Sequence, residues 1–184
     1  MINIEEYLKS YDNLISQPEL INQLFTLGEK LKSLKKNGGR LLLMGNGASA
    51  SIASHAALDF TKQARLEALC FHDSSLITAY ANDYSYEEAF KEILISFSRD
   101  TDYVFFISVS GESENLVRAA QHAKKMGLYT VSFTGRNPSN RLKTITEQTF
   151  WVDSHAYNIV ENCHCIWITT LIDYLVGKSV YEVK

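Results

Sequence analysis

Two short apolar runs, Arg40–Met44 and Tyr103–Ile107, each end in a glycine- and serine-rich loop that opens an amphipathic stretch. The first loop is Gly45-Asn46-Gly47-Ala48-Ser49-Ala50-Ser51 and the second is Ser108-Val109-Ser110-Gly111-Glu112-Ser113. A buried strand followed by a tight turn and a helix is the unit of an α/β sheet with parallel strands, covered on both faces. Further apolar runs at Ala68–Phe71, Leu128–Phe133 and Thr149–Val152 predict three more strands. Helices are predicted over Ser49–Lys62, Ser75–Tyr80, Tyr86–Phe97, Ser113–Met126 and Tyr157–Val176, the last two closed by Gly127 and Gly177. Residues 3–36 read as helix broken near Ser16-Gln17-Pro18, with Pro18 and Glu19 suited to a first turn.

No linker, repeat or low-complexity tract interrupts the 184 residues. The expectation is therefore one domain over 1–184, with N-terminal helices over 1–37 and an α/β core over 38–184.

In such a sheet, ligands bind beyond the carboxyl ends of the strands, and both loops fall there. A strand-to-helix turn offers free backbone N–H groups, the positive end of a helix dipole and, here, hydroxyls: the requirements of a phosphate. The competing reading of either loop is a tight turn with a serine cap. Neither loop carries the Gly-Lys-Ser/Thr of a nucleotide phosphate loop or the third glycine of a dinucleotide fingerprint, so no nucleotide cofactor is expected.

A net charge of −3 without a basic block leaves no footprint for nucleic acid. No apolar run reaches the length of a membrane span, so no membrane partner is expected. The acidic start, with no leader pattern, and three irregularly spaced cysteines point to a reducing cytoplasm.

Taken together, Gly45-Asn46-Gly47-Ala48-Ser49 with His55 following, Ala81-Asn82-Asp83-Tyr84, Ile107–Ser113, Thr134-Gly135 and a late helix bearing Glu161 resemble the SIS (sugar isomerase) domain family, and within it the phosphoheptose isomerases. The resemblance implies a flavodoxin-like, doubly wound parallel sheet and a homotetramer with active sites at subunit interfaces. It implies a small phosphorylated sugar as ligand and aldose–ketose isomerisation of sedoheptulose 7-phosphate. Phosphate would be held by Ser49, Ser108, Ser110 and Ser113, with Gly47 and Ser51 beside them. Asn46 would contact the sugar, and Asp83 would lie near its hydroxyls.

Isomerisation needs a base to remove a proton beside the carbonyl and an acid or metal to stabilise the enediol oxygen. The family's glutamate corresponds to Asp59, its glutamine to Glu161 and its second histidine to Thr169, which is no comparable base. His55 and Asp59 stand at i and i+4, and Glu161 and His164 at i and i+3, so each pair shares a helical face. The expectation is that Asp59, Glu161 and His164 are catalytic. His55, Asp59, Glu161 and His164 together would hold a divalent metal such as zinc. Cys163 and Cys165, at i and i+2, diverge and are read as small apolar residues. Val109 replaces a threonine of the family and Glu112 a neutral asparagine, changes expected to weaken phosphate binding.

Overall fold

The computed structural model describes residues 2–180. Three helices, α1 (Ile4–Lys9), α2 (Asp12–Ile15) and α3 (Pro18–Lys36), precede an alternating array. It runs β1 (Leu41–Gly45), α4 (Ala48–Lys62), β2 (Ala68–Cys70), α5 (Ser74–Asp83), α6 (Ala89–Phe97), β3 (Tyr103–Ile107), α7 (Glu114–Lys125), β4 (Tyr129–Gly135), α8 (Arg141–Ile145), β5 (Gln148–Val152) and α9 (Tyr157–Val176). The strands form one parallel sheet in the order β2-β1-β3-β4-β5. This is the doubly wound, flavodoxin-like order. Its direction reverses between β1 and β3, so a crevice opens where the two glycine–serine loops leave the sheet.

Alternate strand residues feed two cores. Leu41, Leu43, Phe105, Ile107, Phe133 and Phe150 face a layer that includes α3, α4 and α9. Leu42, Met44, Val104 and Phe106 face α6, α7 and α8. Leu24, Leu27, Leu31 and Leu34 of α3 lie on one helical stripe and join the first core, so the N-terminal arm is packed into the sheet layer. Arg40, at the foot of β1, makes a two-pronged contact with Asp102 at 2.7 and 3.1 Å, both side chains buried. That pair ties the foot of β1 to the turn entering β3.

Two features differ from the sequence expectation. The short helix α8 follows Asn140, whose side chain accepts from the Lys143 N–H; five residues are too few for a hydrophobic period to show. Among the described residues α9 is long and apolar enough to cross a membrane. It is a core helix, with Val160, Cys163, Trp167, Ile168, Leu171 and Ile172 buried in the first cluster.

Candidate active site

The two loops wall a cleft of ≈ 320 Å³ lined by Asn46, Gly47, Ala48, Ser49, Ile107, Ser108, Val109, Ser110, Ser113, Tyr157 and Glu161. Local sequence explains its shape. Gly47 (φ 56°) and Gly111 (φ 67°) adopt positive φ values, open to glycine at little cost, that turn each strand into its helix. Gly45 is needed for a different reason: a β-carbon there would lie 2.7 Å from the backbone of Ser49, so only glycine lets α4 begin so close to β1.

The helix starts decide between an anion cradle and a merely capped turn. Gly47 is the N-cap of α4 and Ser113 that of α7, and neither helix has a side-chain cap hydrogen bond. Both therefore present N-terminal dipole ends to the cleft; at the start of α7 one N–H, that of Leu116, is taken by the side-chain oxygen of Asn115 at 2.9 Å. The hydroxyls of Ser108 and Ser110 accept from the N–H groups of Gly111 and Glu112, each at 3.2 Å. Their own protons stay available to donate to a ligand oxygen.

Several expected residues are placed elsewhere, or in other roles. Asn46 exchanges amide hydrogen bonds with buried Asn115 at 2.9 and 3.0 Å, and its carbonyl also accepts from Tyr86 Oη at 2.9 Å. Its oxygen is thus engaged in fixing the first loop to α7. Ser51 is exposed and does not line the cleft. Asp83 is exposed at the end of α5, where it accepts from Asn82, and is likewise outside the lining. Glu112, expected to burden the second loop with negative charge, is turned away: its carboxylate accepts from the Arg141 N–H at 3.0 Å, at the start of α8. Val109 lines the cleft but is almost fully buried, and its carbonyl accepts from the Gly135 N–H at 2.9 Å.

The four residues expected to share a metal are not brought together. His164 is 0% exposed, between the rings of Phe133 and Trp167. Its Nε2–H donates to the Thr134 carbonyl at 3.1 Å, and Nδ1 has no partner. Burial pushes its pKa down to about 4. His164 is therefore a neutral core residue and is neither a catalytic group nor a metal ligand in this fold. The i, i+3 spacing with Glu161 holds, but the shared face is too narrow: Glu161 points to the cleft and His164 to the sheet.

His55 and Asp59 pair at 3.0 Å, with side chains 58% and 16% exposed, and Asp59 also accepts from Gln63 at 2.7 Å. They lie further along α4, outside the cleft lining. Among the described residues no three His, Cys, Asp or Glu side chains are grouped to hold a metal ion. The residues of one chain do not fit the expected metal. Thr169 turns its hydroxyl back onto the Cys165 carbonyl at 2.9 Å. Burial raises the Cys163 thiol to about 11, as expected of an inert core cysteine.

Two contributions are not foreseen by the sequence. Tyr157 lines the cleft and carries the Arg136 guanidinium 5.5 Å from its ring centre, placing a cation near the cleft. His72 stands behind the first loop, its Nε2 3.2 Å from the Gly45 nitrogen and 3.1 Å from its oxygen.

The SIS domain family matches residues 6–135. A probable phosphoheptose isomerase of Thermoplasma acidophilum is 33% identical over 150 residues, 78% of this chain and 82% of that protein. The phosphoheptose isomerase of Aquifex aeolicus is 36% identical over 153 residues, 80% of this chain and 79% of that protein. Among solved structures, a phosphoheptose isomerase from Neisseria gonorrhoeae has the same fold, with a TM-score of 0.80 at 24% identity over 86% of this chain and 87% of that one. The Vibrio vulnificus NanR protein, solved in complex with ManNAc-6P, shares the fold at a TM-score of 0.68 and 18% identity, over 92% of this chain and 58% of that one.

Proposed function

This chain belongs to the SIS domain family, and from that premise we propose that it interconverts sedoheptulose 7-phosphate and a manno-heptose 7-phosphate. Kinship with phosphoheptose isomerases makes it a sugar-phosphate isomerase; the heptose and the residue roles below are our assignment. One observation supports them most: two helix N-termini without side-chain caps and four serines face the same cleft as Glu161.

The phosphate lies against the starts of α4 and α7, with Ser49, Ser108, Ser110 and Ser113 donating to its oxygens. Dipoles and hydroxyls hold it, because no lysine or arginine is among the lining residues. The sugar then extends towards Glu161, the one carboxylate in that lining. Glu161 takes the proton from the carbon beside the carbonyl and returns it to the neighbouring carbon, passing through an enediol. The Asp59–His55 pair is a second proton-transfer couple on a partly exposed face of α4. We assign it to the cleft of a neighbouring copy in a cytoplasmic homotetramer, which is also where Asp83 meets substrate.

Incubation of the purified protein with sedoheptulose 7-phosphate, followed by NMR, is expected to show the aldoheptose product. Glu161→Gln is expected to slow its appearance by about 10²–10⁴-fold. Absence of turnover by the unmodified protein at every concentration tested defeats the assignment. Thr169, where the family carries a histidine, supports a second reading in which the chain binds a phosphosugar without converting it. Saturable binding of sedoheptulose 7-phosphate without product favours that reading.

A further inference from the structure

β2 is three residues long, and its register with β1 ends at Leu43 opposite Cys70. β1 continues two residues further, where Gly45 pairs with Ile107 of β3 on the other side. In a parallel ladder the N–H and C=O of one residue point to the same side. On the β2 side, the last turn of β1 has therefore run out of strand just where the first loop begins. His72, two residues beyond β2, fills that gap. Its Nε2 lies 3.2 Å from the Gly45 nitrogen and 3.1 Å from the Gly45 oxygen. Nδ1 faces Ser54 Oγ on α4 at 3.5 Å, and the ring packs edge-on against Phe90.

We propose that His72 is a positioning residue for phosphate binding: its imidazole substitutes for the missing strand residue and holds the Gly45 peptide in the orientation that launches the first loop. The proposal rests on the reading of the cleft as a phosphate site. Gly45 is not itself among the lining residues, so His72 acts through the backbone to Asn46, Gly47, Ala48 and Ser49, which are. Gly45 also has little room to adjust, because the space where a β-carbon would stand is already taken by the Ser49 backbone. A tilt of its peptide therefore moves the start of α4.

The ring is suited to this place. Both Gly45 contacts fall on Nε2, so the ring makes one of them at a time: with its proton on Nδ1, Nε2 accepts from the Gly45 N–H, and with its proton on Nε2 it donates to the Gly45 carbonyl. Burial holds its pKa below the ordinary histidine value, against the opposing effect of the Gly45 hydrogen bond. The neighbouring Asp73 carboxylate is engaged at the start of α5 by Ser75 and Leu76.

Glutamine places its terminal amide where Nε2 stands, whereas asparagine and leucine leave that position empty of a polar group. The test is titration calorimetry with inorganic phosphate on the intact protein and on His72→Gln and His72→Leu. Circular dichroism at the same temperature checks that each is folded. Expected is a dissociation constant raised about tenfold for His72→Leu, the loss of one buried hydrogen bond. For His72→Gln it stays within about threefold. His72→Asn replaces His72→Leu if the latter does not fold, with the same expected loss. Equal binding by intact protein and His72→Leu, or His72→Gln as weak as His72→Leu, overturns the proposal. If the intact protein binds no phosphate, the phosphate reading of the cleft itself falls, and the proposal falls with it.

Discussion

Acidification should destabilise this protein through His164, by an amount its environment sets. The ring is fully buried and its pKa is held down to about 4, against an ordinary value of 6.5. Between those values the unfolded chain carries a proton on this side chain that the folded chain does not. Stability therefore rises with pH across the window. The contribution of the neutral buried ring is complete above about pH 6.5 and is lost as pH falls towards about 4. One proton corresponds to about 1.4 kcal/mol per pH unit, so the window is worth about 3 kcal/mol. The cause is geometric: Nε2–H has the Thr134 carbonyl, whereas a second proton on Nδ1 meets no acceptor. His164→Leu removes the titration and also the hydrogen bond to the Thr134 carbonyl, at a cost of about 0.5–1.5 kcal/mol. Urea unfolding followed by circular dichroism, at fixed protein concentration from pH 7.5 to pH 4, measures both curves. The variant is expected to start less stable and to lose less on acidification, so that the gap closes or reverses near pH 4. Carboxylates and His72 act alike in both proteins and cancel in the difference. A gap that stays constant across the window refutes the reasoning.

Three further outcomes follow from the geometry. Glu161→Gln should lower kcat by about 10²–10⁴-fold while leaving inorganic phosphate affinity, read by calorimetry, within about twofold of the parent. Gly111→Ala should destabilise by about 2–4 kcal/mol in urea unfolding, because φ is +67° and the new β-carbon would lie 2.0 Å from Asn140 Oδ1. Asp102→Ala should cost about 3–5 kcal/mol by the same measurement, since it leaves the buried Arg40 guanidinium without its two-pronged partner.

The alternation of apolar runs with amphipathic stretches is enough to read the five strands, their parallel character and the helices between them. The register of Gly45 and Ser108 at the strand ends is equally legible, because glycine and serine clusters mark such turns chemically. What fails is inference about which way a side chain points on α9. A buried helix is apolar over most of its circumference, so no stripe tells Glu161, facing the cleft, from His164, facing Phe133 and Trp167. Spacing of i, i+3 brings two residues near each other but leaves roughly a 60° divergence, enough here to put one in the cleft and the other in the core. Glu112 escapes for another reason: its partner is the N–H of Arg141, on a five-residue helix with no periodic signature. His72 is invisible because its role depends on β2 stopping early, a property of register rather than of composition.

The reciprocal amide pair between Asn46 and Asn115 cross-links segments 69 positions apart in the chain. A phosphate approaching the cleft meets two loops that are already fastened to one another, so little chain entropy remains to be surrendered on docking. Association should then be fast and nearly indifferent to the sugar attached, with discrimination among phosphosugars expressed in how quickly each one leaves. A relaxation experiment would find the two loops exchanging together, on one timescale, rather than as independent flaps.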